Sequence, residues 1–148
     1  HRLELIREFN GVKFYNDSIA SSPTRTAAGL RAFKNKVILI AGGYDKKIPF
    51  DGFGEIVVEK TKAVGLVGAT AEKIRTEIEK TCEKHGTGEP IITCDTLEEA
   101  VKSAYSLADD GDAVLLSPAC ASFDMFKNFE ERGNAFKEIV ALLGKEEL

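Results

Sequence analysis

The chain has 148 residues, a size that suits one domain built around one core. Hydrophobic residues make up 43% and charged residues 30%, a globular rather than a disordered composition. Lys plus Arg number 20 against 24 Asp plus Glu, and the formal charge of −4 argues against a general nucleic-acid binder, which needs excess basic residues to neutralise phosphates. A small anionic ligand stays open, because a few local cations suffice for it.

The cysteines, Cys82, Cys94 and Cys120, are odd in number and lack metal-ligand spacing. They read as reduced thiols of a cytosolic protein, and His1 and His85 alone are available to complete a zinc site. No apolar run approaches the ~18–20 residues that span a bilayer, and no signal-peptide pattern is read. The chain begins with His1 rather than Met and is expected to be a piece of a longer protein.

Two apolar-rich runs, Leu3 to Phe9 and Val12 to Tyr15, bracket Asn10-Gly11. Both residues of such a turn take positive φ, so the pair predicts an antiparallel hairpin. Asn16-Asp17-Ser18-Ile19-Ala20-Ser21-Ser22-Pro23 follows. Ser22 is a suitable N-cap and Pro23 fits a first turn, so a helix with Ala27, Leu30 and Phe33 on its apolar face is expected.

Val37-Ile38-Leu39-Ile40-Ala41 is continuously apolar, as a strand buried on both faces reads. Val64–Val67 and Ile91–Thr93 read similarly but more weakly, and Val114-Leu115-Leu116 is the last such run. Between them lie helical patterns over about 71–85, 96–108 and 133–144. Strands alternating with helices predict an α/β fold, a Rossmann-like doubly wound, mostly parallel sheet with an N-terminal β-hairpin. Ligands of such sheets bind beyond the carboxyl ends of the strands. Three strand ends, 16–22, 42–47 and 117–129, are therefore the candidate site.

Gly42-Gly43-Tyr44-Asp45-Lys46-Lys47 permits a sharp turn with a lysine beyond it to meet a carboxylate or phosphate. An ordinary βα turn with solvated lysines reads the same way. Neither the Walker spacing nor the dinucleotide Gly-x-Gly-x-x-Gly pattern is present. Ser117 to Phe129 runs from small residues into Phe123, Phe126 and Phe129 beside Asp124, Lys127 and Asn128. Ser122 can hydrogen-bond a carboxylate, while the phenylalanines and Cys120 also fit plain core packing. Arg132 reads as a surface ion pair of small value. Asp17 can hold a ribose, a magnesium-bound water or a basic side chain, or simply form an Asx turn. Ser21 and Ser22 share the capping alternative, and His85 beside Gly86 reads as a helix cap.

Together these segments resemble the C-terminal domain of the Mur ligases, most closely the branch that adds D-glutamate to UDP-N-acetylmuramoyl-L-alanine. The resemblance is carried by His1-Arg2, Glu4-Leu5, Asn10-Gly11, Asn16-Asp17-Ser18, Gly42-Gly43 with its lysine, and above all Leu115 to Glu130 with Arg132-Gly133-Asn134 and Phe136. Residues 52–110 are the least distinctive. The resemblance implies that residues 1–148 are a C-terminal, amino-acid-binding domain, with the UDP-binding and central ATPase domains lying outside them. It implies that Lys46 and Ser122 bind the carboxylates of D-glutamate, that Ser21 assists, and that Phe123 and Phe129 line the pocket. It implies that Arg2 and Asp17 face the nucleotide. Ile19 departs from members that carry a basic residue there, and Lys47 leaves the binding lysine uncertain by one place.

The implied reaction phosphorylates the muramoyl-alanine carboxylate to an acyl phosphate, which the glutamate amine attacks to give an amide and phosphate. It serves the making of peptidoglycan precursors. ATP and Mg2+ would be held mainly by the central domain, and no catalytic or metal residue is expected in this one. The isolated domain is expected to be inactive. A cytoplasmic monomer without nucleic-acid or membrane partners is expected. Alternatives are a free-standing doubly wound ligand-binding or regulatory module, a sister Mur ligase, or a folylpolyglutamate synthase domain.

Overall fold

The structure, a computed structural model, describes residues 1–145. The hairpin is present: β1 (Glu4–Phe9) and β2 (Val12–Asn16) pair antiparallel around Asn10 and Gly11, whose φ values are 50° and 79°. Then come α1 (Pro23–Arg31), β3 (Val37–Ala41), α2 (Phe53–Lys60), β4 (Thr61–Leu66), α3 (Ala71–His85), β5 (Ile91–Thr93), α4 (Leu97–Leu107), β6 (Ala113–Leu116) and α5 (Phe129–Ala141). Helix α1 starts as the sequence requires. Pro23 fills the first turn, and the Ser22 hydroxyl accepts the Arg25 N–H at 3.3 Å.

The strands form one six-stranded sheet in the order β1-β2-β6-β3-β4-β5, parallel throughout except for β1. Alternate residues of each strand point to opposite faces. Val37, Leu39, Val64, Leu66 and Leu115 join the core beneath α1, α2 and α3. Ile38, Ile40, Ala63, Val114 and Leu116 join the core beneath α4 and α5. This division into two cores is why the central strands read as unbroken apolar runs.

Three details differ from the sequence reading. Helix α2 is assigned no element there, although Phe53, Ile56 and Val57 lie at helical spacing and are buried. Helix α5 begins at Phe129, four residues before the reading's 133, because the Asn128 side chain caps it by accepting the Glu131 N–H at 2.8 Å. Helix α3 is closed by Gly86 in the left-handed conformation, while the His85 ring pairs with Glu55 at 2.9 Å.

The candidate site at three adjacent strand ends

The last strand of the sequence, β6, inserts between β2 and β3. In register, Asn16, Leu116 and Ile40 lie side by side, so the segments that follow them leave the sheet together. Backbone bonds then stitch these segments to one another. The Asp17 N–H donates to Leu116 O at 2.8 Å, Ser117 N–H to Ile40 O at 3.1 Å, Gly42 N–H to Pro118 O at 2.9 Å, and Ala119 N–H to Ala20 O at 3.0 Å. Tyr44 and Ala121 form an isolated antiparallel bridge, with the Tyr44 N–H 2.9 Å from Ala121 O. Gly42 has φ 112°, and a Cβ there would stand 2.0 Å from Val67 O, so only glycine lets the β3 and β4 ends approach this closely.

A narrow cavity lies in this junction, with Ser21, Tyr44, Lys46, Thr70 and Ala119 to Ala121 in its walls. It therefore brings Ser21 and Lys46 together. It has room for about 10 Å³, so the exposed side chains at its mouth must move to admit a ligand larger than one water. Ser122 is largely buried and directly follows the lining residue Ala121; its hydroxyl has no protein partner among the described residues and, since no fully buried side-chain oxygen among them lacks one, it reaches solvent. The exposed Lys46 ammonium likewise has no partner among them. Lys47 differs: it stands 3.5 Å from Asp45, whose carboxylate also meets Lys73 at 2.8 Å. The Lys73 ammonium and then the Lys47 backbone N–H hold the Asp45 carboxyl down at about 2, so this carboxylate is already matched.

Phe123 is exposed, and its ring meets Tyr44 edge-on at 5.8 Å at the mouth of the cavity. Phe129 is not among the cavity residues. Its ring packs on His1 at 5.9 Å, and its carbonyl accepts the Ser18 hydroxyl at 2.7 Å. Phe126, by contrast, packs against the core beneath α4 and α5. Cys120 is buried beside Thr70 at 3.2 Å, and burial pushes its thiol up to about 11, so it stays protonated and inert at neutral pH.

A second cavity, of about 360 Å³, opens beside the first element. It brings Arg2 and Asp17 together with Ile19, Arg25 and Gly29. Asp17 is buried, and its two oxygens accept the Leu3 N–H at 3.1 Å and the Ser117 hydroxyl at 2.8 Å. Burial raises its pKa, and those two hydrogen bonds and the nearby Arg2 oppose the rise. The Asx turn belongs to Asn16, whose side chain accepts the Ser18 N–H at 3.0 Å.

Arg132 overturns the surface ion-pair reading. It is buried, and its guanidinium donates to Ser18 Oγ at 2.9 Å, Ser18 O at 2.7 Å and Cys120 O at 2.8 Å. It ties α5 to the segments after β2 and β6. Burial pulls its pKa down to about 10. A signal existed: Arg132, Phe136 and Val140 share one helix face, and that face is the buried one. Thr70 was also missed; it accepts the Gly43 N–H at 3.0 Å, and no local pattern announces it.

A profile for the "Mur ligase, glutamate ligase domain" matches residues 1–120. The chain belongs to that family. It is 66% identical over 142 residues to the UDP-N-acetylmuramoylalanine--D-glutamate ligase of Acetivibrio thermocellus, covering 95% of this chain and 30% of that protein. It is 61% identical over 140 residues to the enzyme of the same name from Clostridium kluyveri, covering 95% of this chain and 31% of that protein. The chain thus spans about 30% of the length of the curated relatives it matches.

Solved structures share the Mur ligase fold of this domain at low identity. A murein peptide ligase from Psychrobacter arcticus superposes with a TM-score of 0.62 at 14% identity, over 96% of this chain and 28% of that one. A bifunctional folylpolyglutamate synthase/dihydrofolate synthase from Yersinia pestis superposes at 0.59 and 14% identity, over 99% of this chain and 31% of that one. Among the described residues no helix is long and apolar enough to cross a membrane, and no group of three or more His, Cys, Asp or Glu is placed to hold a metal.

Proposed function

We propose that these residues form the C-terminal, amino-acid-binding domain of a cytoplasmic, ATP-dependent ligase that adds D-glutamate to UDP-N-acetylmuramoyl-L-alanine. The observation that carries the reading is the junction of β2, β6 and β3. Lys46, whose ammonium has no partner among the described residues, lines one cavity together with Ser21, and Ser122 directly follows its lining residue Ala121. The identity to relatives named for this reaction supports the choice of amino acid. Lys46 is preferred to Lys47, because Lys47 already faces Asp45.

D-glutamate has two carboxylates and one nucleophilic amine. Lys46 holds one carboxylate by a charge-assisted contact, and the Ser122 and Ser21 hydroxyls donate to the carboxylates. The amine is then left to face the acyl carbon. Fixing that direction turns a two-body encounter into a nearly unimolecular step, an effect of up to ~7–11 kcal/mol at its best. ATP, with Mg2+, would supply the phosphoryl group that turns the muramoyl-alanine carboxylate into an acyl phosphate, with ADP leaving. Its triphosphate and metal are assigned to the part of the relatives' length that lies outside these residues. Arg2 and Asp17 meet the nucleotide from this side.

The test is ligation by the full-length parent with D-glutamate, L-glutamate and D-aspartate. Lys46→Ala and Ser122→Ala should each lower kcat/KM for D-glutamate by at least tenfold, with Lys47→Ala near wild type. Wild-type kcat/KM in both of the first two variants would refute the site. ATP-dependent ligation by residues 1–148 alone would refute the division of labour.

A further inference from the structure

The cavity beside Asp17 has an electrostatic imbalance. Its walls carry one carboxylate, Asp17, and two guanidiniums, Arg2 and Arg25. The Asp17 oxygens already accept the Leu3 N–H and the Ser117 hydroxyl, and Arg2 and the amino terminus are the cations whose charges act on that carboxylate. Arg25 has no such match. Its backbone N–H binds the Ser22 cap, but its exposed guanidinium makes no hydrogen bond or ion pair among the described residues.

Its position explains why it reaches this cavity. Arg25 lies in the first turn of α1, and Gly29 one turn later shares its face. A Cβ on Gly29 would stand 2.7 Å from Asp17 Oδ2, so this face of the helix lies directly over the carboxylate. Helical side chains lean towards the helix N-terminus. Here that is the end of α1 joined to the carboxyl end of β2, the ligand side of the sheet. Ile19 also lines the cavity and brings no charge.

We propose that Arg25 is a specificity-determining residue of this cavity, supplying the free cationic contact for a nucleotide whose hydroxyls meet Asp17. A guanidinium suits such a ligand in two ways, since it grips phosphate oxygens as a fork and lies flat on a purine ring. The assignment rests on the ligase reading for the identity of the ligand. It adds a residue whose loss weakens nucleotide binding and leaves the amino-acid site alone.

The experiment is calorimetric titration of the full-length parent with ADP and, separately, adenosine. Arg25→Ala is expected to weaken ADP about tenfold, the scale of one partly solvated charged hydrogen bond. Loss for ADP alone assigns the contact to phosphate, and loss for both assigns it to the ring. Arg25→Lys should fall between the two. Ile19→Lys, placed on the Arg25→Ala background, should recover most of the affinity by returning a cation to the cavity lining. The melting temperature and the KM for D-glutamate should stay at wild-type values, because the Arg25 side chain is unpartnered and lies outside the Lys46 cavity. An Arg25→Ala protein that binds both probes within twofold of wild type would overturn the proposal, and so would an Ile19→Lys/Arg25→Ala double variant no tighter than Arg25→Ala. Failure of the wild-type parent to ligate D-glutamate would instead strike the ligase reading, and the titrations would still decide the role of Arg25.

Discussion

Replacing Arg132 by methionine tests the idea that a buried cation, rather than apolar packing alone, holds the strand-end segments together. The three bonds of the guanidinium to Ser18 Oγ, Ser18 O and Cys120 O span 2.7–2.9 Å. Bonds to a charged group contribute ~1.5–3 kcal/mol each, so three amount to roughly 4.5–9 kcal/mol. Burial works against them. It pulls the pKa down to about 10, and from an ordinary value of ~12.5, at ~1.4 kcal/mol per unit, that offsets about 3 kcal/mol. The balance is a loss of roughly 1.5–6 kcal/mol for Arg132→Met, which also leaves the two carbonyls without this donor. For a chain of this length each kcal/mol moves Tm by roughly 2–4 °C, so a fall of roughly 3–24 °C is expected. Urea denaturation followed by circular dichroism measures the loss directly. Arg132→Lys keeps the charge but not the three-way geometry, and should recover less than half. A methionine variant within ~1 kcal/mol of wild type would show that packing carries this junction and that the network contributes nothing net.

Two further substitutions probe single contacts. Gly29→Ala would ordinarily stabilise a helix interior by ~1 kcal/mol, but its Cβ would meet Asp17 Oδ2 at 2.7 Å and displace the Ser117 bond. Net destabilisation of about 1–2 kcal/mol in thermal unfolding is expected, and a more stable alanine variant would contradict the close approach of α1 to Asp17. Glu89 should make stability fall as pH rises. The Thr61 hydroxyl has one proton but approaches both Val57 O and the Glu89 carboxyl, so a protonated Glu89 satisfies all three. Burial raises the Glu89 pKa to about 7, opposed by Thr61 and Lys36. An acid whose folded pKa is raised stabilises fully below its unfolded value, and that contribution is lost as pH climbs through about 7. Between pH 5 and 8 the loss is on the order of 2 kcal/mol. Glu89→Gln keeps the hydrogen-bond donor, so its urea midpoint should lose this slope; an unchanged slope would refute the assignment.

The sheet was legible because its evidence is local. Asn10-Gly11 announces the hairpin, Ser22-Pro23 announces α1, and Val37 to Ala41 announces a strand covered on both faces. Helix α2 was lost because it is eight residues long and its apolar positions are too few to establish a period. The site was legible only in part. The lysine and serine stand at strand ends, where chain order and fold class together point. That Arg132 points inward depends on which face of α5 the sheet covers, and that Thr70 holds Gly43 depends on how β3 and β4 end against each other. Neither fact is encoded near the residue that shows it.

The strand order also says when the site can exist. β2 and β3 make no ladder with each other; each pairs with β6 on its own side. Ser21 and Lys46 follow β2 and β3, and so are brought to one cavity only by a strand that comes some 70 residues after Ala41. Arg132 then bonds both the Ser18 and Cys120 segments from the helix that follows β6. Pairing of distant strands must precede the contacts that reward it. Assembly of the cavity therefore depends on the docking of β6. Its geometry is set by the completed sheet, to which the segments that carry its side chains are bonded.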